Sequence, residues 1–235
     1  MLYSVPMRGI AIRAGMLRGE TPQGLETSYI ATPLTEQELV FEGQYPLSLM
    51  QDCLLNAEEL LVMAIANTAG SSLRDYLLTF TDVLTSGDVL PSTDANGEQI
   101  IGTWGGVFDG SVTTIPCTPQ PMEVIRRWQA LSSYLKSSLY YYALVGNQIL
   151  HTRSSVVLQC CKYSREDQET ALLANGDMLL PDVLEPALVC GALSILPSVE
   201  NAQSYRSYFN DVIGQITSNQ AVTPTALMKQ VQEAA

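Results

Sequence analysis

Between Pro181 and Ile216 apolar residues recur at helical spacing twice over, with a single break, and this pattern constrains the fold more than any other. Pro181-Asp182 opens a first helix that places Val183, Leu184, Ala187, Leu188, Gly191, Ala192 and Ile195 on one side. Pro186 is compatible with that helix only because it falls near the first turn, where its missing N–H would have no helical acceptor. Pro197-Ser198 ends the first helix and caps a second, along which Val199, Ala202, Tyr205, Phe209, Val212 and Ile216 repeat. Such helices are stable chiefly through burial of the apolar face. Gly191 and Ala192 are small enough to let a partner helix come close.

Other helices are predicted upstream. Thr35-Glu36-Gln37-Glu38 has the form of a capping box and opens a short helix toward Phe41. Past Gly43, a longer helix runs from Pro46 to about Asn67. Leu47, Met50, Leu54, Leu61 and Ala64 form its stripe, while Asp52, Glu58 and Glu59 face away. An amphipathic piece, Leu73 to Leu84, follows the Gly70-Ser71-Ser72 break. Met122 to Leu135 is helical again, with Val124, Ile125, Trp128 and Leu131 on one side.

The middle of the chain changes character. Residues 85–121 are punctuated by Gly87, Pro91, Asn96-Gly97, Gly102, Gly105-Gly106, Gly110 and Pro116 around two short apolar runs, as in a loop or small β insertion. Leu139 to Val145 reads as a strand, Gly146-Asn147 as a two-residue turn, Gln148 to His151 as the returning strand, and Val156 to Tyr163 as a third. At the N-terminus, Pro6, Gly9, Gly15, Gly19, Pro22, Gly24 and Pro33 interrupt any regular period. The expected fold is therefore mainly α. A helical-bundle core spans 35–218, with a loop or β insertion at 85–121 and a small antiparallel hairpin sheet at 139–163. Extended arms at 1–34 and 219–235 flank it.

Charged residues make up only 15% of the chain, well below the usual quarter, so much of the surface is expected to meet other subunits. The net charge is −12, and residues 1–120 hold fourteen of the acids against Arg8, Arg13, Arg18 and Arg74. No base falls between Arg18 and Arg74. Such a surface repels phosphate and argues against a module that grips nucleic acid by counterion release. It fits either a solvated acidic face or the wall of a channel along which DNA slides. Cys53, Cys117, Cys160, Cys161 and Cys190 form no CxxC pair, and their odd number without a signal-peptide pattern reads as reduced thiols made in a cytosol. No apolar run is long enough to cross a bilayer.

Catalytic patterns are missing. There is no phosphate loop and no GxSxG elbow, and His151 is the single histidine, read as structural at a strand end. Gly102-Thr103-Trp104-Gly105-Gly106 reads as a hairpin or as a ligand loop. Glu58 and Glu59 point about a hundred degrees apart on a helix and read as solvent-facing. No enzyme activity, cofactor or metal is expected. On a strand Tyr140 and Tyr142 share one face and Tyr141 takes the other, which suits either a core edge or an interface strip.

Two stretches carry a resemblance. "YYYALVGNQILHTRSSVVLQCCKYS" is followed, after a short polar segment, by "LLPDVLEPALVCGALSIL". The order of Gly-Asn hairpin, strand ending in Tyr and "LPDxLExALxxxALS" helix resembles the head-to-tail adaptor proteins that join portal to tail in tailed bacteriophages. The pattern covers roughly residues 46–217; the arm at 1–34 and the 85–121 insertion have no counterpart in it. The resemblance implies a structural protein of the virion neck, assembled as a dodecameric ring under the portal and lining part of the DNA channel. It implies the portal and a tail or nozzle protein as partners, with DNA passing through unbound and no membrane. By carry-over, Thr223, Leu227, Met228 and Val231 are the portal-contact candidates. Tyr140, Tyr142, Gly146 and Asn147 are the candidates for subunit or tail contact. Two alternatives stay open: a head-completion or tail-terminator protein, and a tail-associated hydrolase using Glu58, Glu59 or Asp109.

Overall fold

The computed structural model describes residues 1–15, 32–39, 46–68, 71–130, 139–197 and 199–218. The chain divides into two compact units, Met1–Tyr76 together with Ser164–Ala235, and the continuous stretch Leu77–Tyr163. The architecture is a mixed α/β fold. The mainly α bundle with a small β insertion is thereby corrected: one whole unit is built on two sheets, and the expected C-terminal arm at 219–235 lies outside the described residues.

The first unit is helical. Its described α-helices are α1 (Ser4–Arg13), α2 (Leu47–Asn67), α4 (Arg165–Leu173), α5 (Glu185–Ile195) and α6 (Ala202–Thr217). Residues Ala187 to Ser194 of α5 are all buried, because α1, α2 and α6 pack around it. Gly191 makes this possible. A Cβ there would lie 2.7 Å from Phe209 Cε2 and 2.8 Å from Ala57 Cβ, inside contact distance of both neighbouring helices. Pro186 sits in the first turn of α5, behind a 3-10 turn at Asp182–Leu184. Ile195, expected inside, is 41% exposed. The helix ends there, and the extended backbone of Leu196 turns that side chain inward instead.

The N-terminal segment is not an extended arm over its first thirteen residues. Pro6 falls in the first turn of α1, where no N–H is required, and Gly9 lies where α1 meets α5, with its would-be Cβ 3.0 Å from Val189 Cγ2. Tyr3, Met7, Ile10 and Ala11 are buried. Breakers placed at a cap and a close contact leave the helix intact. A second helix, α4, reads in sequence only as a polar connection; the Ser164 hydroxyl caps it by accepting from the Asp167 N–H at 3.3 Å. The Thr35 box is present, with Thr35 N–H donating to Glu38 Oε2 at 2.8 Å, but it opens only a 3-10 turn, Glu36–Glu38.

The second unit holds two three-stranded sheets. In one, β6 (Val156–Lys162) lies between β1 (Leu78–Phe80) and β2 (Ile100–Asp109), all antiparallel. In the other, β4 (Tyr141–Val145) lies between β3 (Thr118–Pro119) and β5 (Gln148–His151). The Gly146-Asn147 hairpin forms with Gly146 at φ 61°, the left-handed conformation such a turn requires. Three sequence expectations are corrected here. The strand at 156 joins a sheet separate from the hairpin. The helical piece at Leu73–Leu84 is a 3-10 turn, Ser72–Tyr76, followed by β1. Within the 85–121 insertion, the Gly102–Gly106 run is β2 itself, with its register to β6 shifted between Ile101 and Gly106. The helix α3 (Met122–Gln129) packs on β4 and β5. Leu84, Val107, Cys117, Ile149, Val156 and Leu158 form this unit's core.

Candidate functional site

The hairpin candidates divide between core and surface. Tyr140 and Tyr142 are half-buried and pack on the core cluster of the second unit, and burial raises the Tyr142 hydroxyl pKa. Beside them Arg153 stacks 4.3 Å from the Tyr140 ring centre. The same guanidinium pairs with the buried Asp109 carboxylate, which also accepts from the Ser111 hydroxyl and, at 2.8 Å, from the Ser111 N–H. Burial works to raise the Asp109 pKa, but the Ser111 and Arg153 hydrogen bonds outweigh it and hold the group below its ordinary value. Gly146 and Asn147 are exposed at the turn, next to Leu144, which is 45% exposed.

The carboxylates proposed for hydrolysis have other occupations. Asp109 holds a turn and an ion pair. Glu59 pairs with Arg165 at 3.1 Å. Glu58, expected to face solvent, is fully buried, because α1, α4, α5 and α6 cover most of α2. Tyr3 Oη lies 2.7 Å from Glu58 Oε2 and 3.0 Å from Gln168 Oε1. Burial pushes the Glu58 pKa up to about 7, with the Tyr3 hydroxyl and Leu179 N–H pulling the other way. In the neutral form, the carboxyl O–H can donate to Tyr3 Oη while Tyr3 donates to Gln168. A cleft of about 220 Å³ opens beside this group, with Tyr3, Ser4, Met7, Leu34 and Leu173 among its lining.

One surface was only partly foreseen from the sequence, which placed Asp52 and Glu59 on it but not its apolar residues. Asp52, Asn56, Glu59, Leu60, Met63 and Asn67 follow one another along the uncovered side of α2, with Leu60 50% and Met63 40% exposed. Arg165 of α4 reaches across to Asn56 Oδ1 at 2.7 Å and to Glu59. Glu166, Asp167 and Glu169 add exposed carboxylates on α4. The spacing of Leu60, Met63 and Asn67 was the available signal: two of the three are apolar residues off the buried stripe.

His151 is buried, with Nδ1 3.0 Å from the Arg153 carbonyl, and burial lowers its pKa. Asp94 is buried too and accepts from Thr79 Oγ1 and the N–H groups of Asn96 and Glu98, closing the Asn96-Gly97 turn. All five thiols are buried and none is in a disulfide. Among the described residues no group of three or more His, Cys, Asp or Glu is placed to hold a metal ion, and no helix is long and apolar enough to cross a membrane. Thr223, Leu227, Met228 and Val231 lie outside the described residues. No protein-family model matches the chain, and no curated protein matches it.

Proposed function

We propose that this chain is a ring-forming structural protein of a tailed-phage neck, joining the portal to the tail and lining part of the DNA channel. The observation that carries the reading is apolar surface left in water by a unit whose opposite faces are well buried. Leu173 is 76% exposed, and Leu60, Met63 and Ile195 stand out from two further helices. Charged residues make up only 15% of the chain, so uncharged surface is available for a neighbouring subunit to cover. The acidic first half of the chain suits a wall past which DNA slides. The motif order from the Gly-Asn hairpin to the Pro181 helix points the same way. A C-terminal segment that touches the portal, repeated around a ring, would turn weak single contacts into firm attachment.

The test is sedimentation of the purified full chain with its cognate portal protein. The expected result is cosedimentation as a ring on the portal, visible by negative-stain microscopy. A chain that stays separate from portal at high concentration would refute the proposal. The head-completion or tail-terminator alternative is decided by where the chain lies in a virion map.

A further inference from the structure

Two surfaces of this chain complement one another in charge. The α2–α4 face gathers Asp52, Glu59 and Glu169 around a single guanidinium, Arg165, beside the exposed Leu60 and Met63, and α4 also carries the exposed Glu166 and Asp167. In the second unit, α3 carries Arg126 and Arg127 side by side and exposed, four residues or fewer from one acid, Glu123. Among the described residues neither arginine makes an ion pair. In a chain of net charge −12, the described bases Arg8, Arg153 and Arg165 are each already paired with a carboxylate.

Copies with so negative a net charge repel one another at long range, so a stable contact between them needs local charge reversal at the point of touch. We infer that the acidic, apolar α2–α4 face of one copy binds the basic α3 helix of the next copy, with Arg126 and Arg127 meeting the carboxylates and Leu60 and Met63 closing the dry centre. The two surfaces are different, so the contact is head-to-tail. Contacts of that kind propagate, and they close into a ring when the rotation permits. The inference deepens the ring assignment proposed above and rests on it only for the closure. The α2–α4 face, the α3 helix and their pairing are claims of their own.

The experiment compares three full-length proteins by analytical ultracentrifugation across a salt series: wild type, Arg126→Glu/Arg127→Glu, and Asp52→Lys/Glu59→Lys. Wild type is expected to self-associate, more weakly as salt rises. Each double variant alone should associate at least about tenfold more weakly, as the loss of close charge pairs at an interface predicts. Mixing the two variants should restore association, since each reversed surface then finds its complement. Leu60→Ser/Met63→Ser gives a second check, because it should weaken association at every salt concentration without changing the salt dependence. Circular dichroism confirms that the variants are folded. Wild-type association unaltered by either reversal, no restoration on mixing, or a wild type that stays monomeric at all concentrations would each overturn the inference. Portal cosedimentation separates the two claims. Portal binding by unaffected reversal variants would sink this interface and spare the neck assignment. Charge-dependent self-association without portal binding would do the opposite.

Discussion

Replacing Glu58 by Gln is expected to remove the part of the pH dependence of stability that this carboxyl carries between mildly acidic and mildly alkaline conditions. The carboxyl has no exposure to water, and its pKa rises from 4.5 to about 7 on folding. A group whose native pKa is raised binds more protons folded than unfolded, so stability falls as pH climbs. The contribution is constant below about 4.5, declines between the two values and levels off above about 7. At about 1.4 kcal/mol per pKa unit, the full span is worth about 3 kcal/mol. Gln keeps the shape and carries no charge, so nothing is left to titrate. It does bury an amide, and an unmatched N–H there costs on the order of 1 kcal/mol. The variant should therefore sit slightly below wild type at about pH 5 and about 2 kcal/mol above it at about pH 8.5. Urea unfolding followed by helical circular dichroism, which reports chiefly on the helical unit, measures both differences. A gap between the two proteins that is the same at both pH values would refute the reasoning.

Gly191→Ala should destabilise the helical unit by about 1–3 kcal/mol, read as a lower urea midpoint, because the added methyl has Phe209 and Ala57 within 3 Å. Asp109→Ala strips Arg153 of its carboxylate and the Ser111 turn of its acceptor; a loss of about 3 kcal/mol is expected in thermal unfolding of the β unit. Since the native Asp109 pKa is depressed, its stabilisation is present above the ordinary Asp value and lost as pH falls through the native one. Asp109→Ala should accordingly differ least from wild type in strong acid. Burial pushes the Cys117 and Cys190 thiols up to about 11 and Cys160 up to about 12. Because all five thiols are buried, a thiolate-specific reagent should label none of them in the folded protein and all five in urea.

Helices were legible wherever their stripe was local and uninterrupted. The helices around Met50, Leu188 and Phe209 are present because a helix closes its hydrogen bonds within four residues and shows its period in the sequence. The Gly-Asn turn was legible for the same reason, since Gly146 meets a purely local conformational demand. The first helix was hidden by Pro6 and Gly9, whose harmlessness depends on a cap position and on Val189, a residue far along the chain. The exposed α2 face was half-legible, because Leu60 and Met63 leave the buried stripe yet nothing local says whether another helix covers them.

What the sequence determined by itself is the set of segments that satisfy their own backbone and the sparse, acidic charge that any assembly of this chain must accommodate. Tertiary structure alone decided the partners. Strand β6 pairs with β1 and β2, from segments about eighty and about fifty residues earlier, and so leaves the hairpin to a second sheet. It also decided that Glu58 is sealed among four helices while Glu59, its neighbour, keeps contact with water. Strand pairing and burial are set by whatever arrives from elsewhere in the chain, and periodicity holds no record of that arrival.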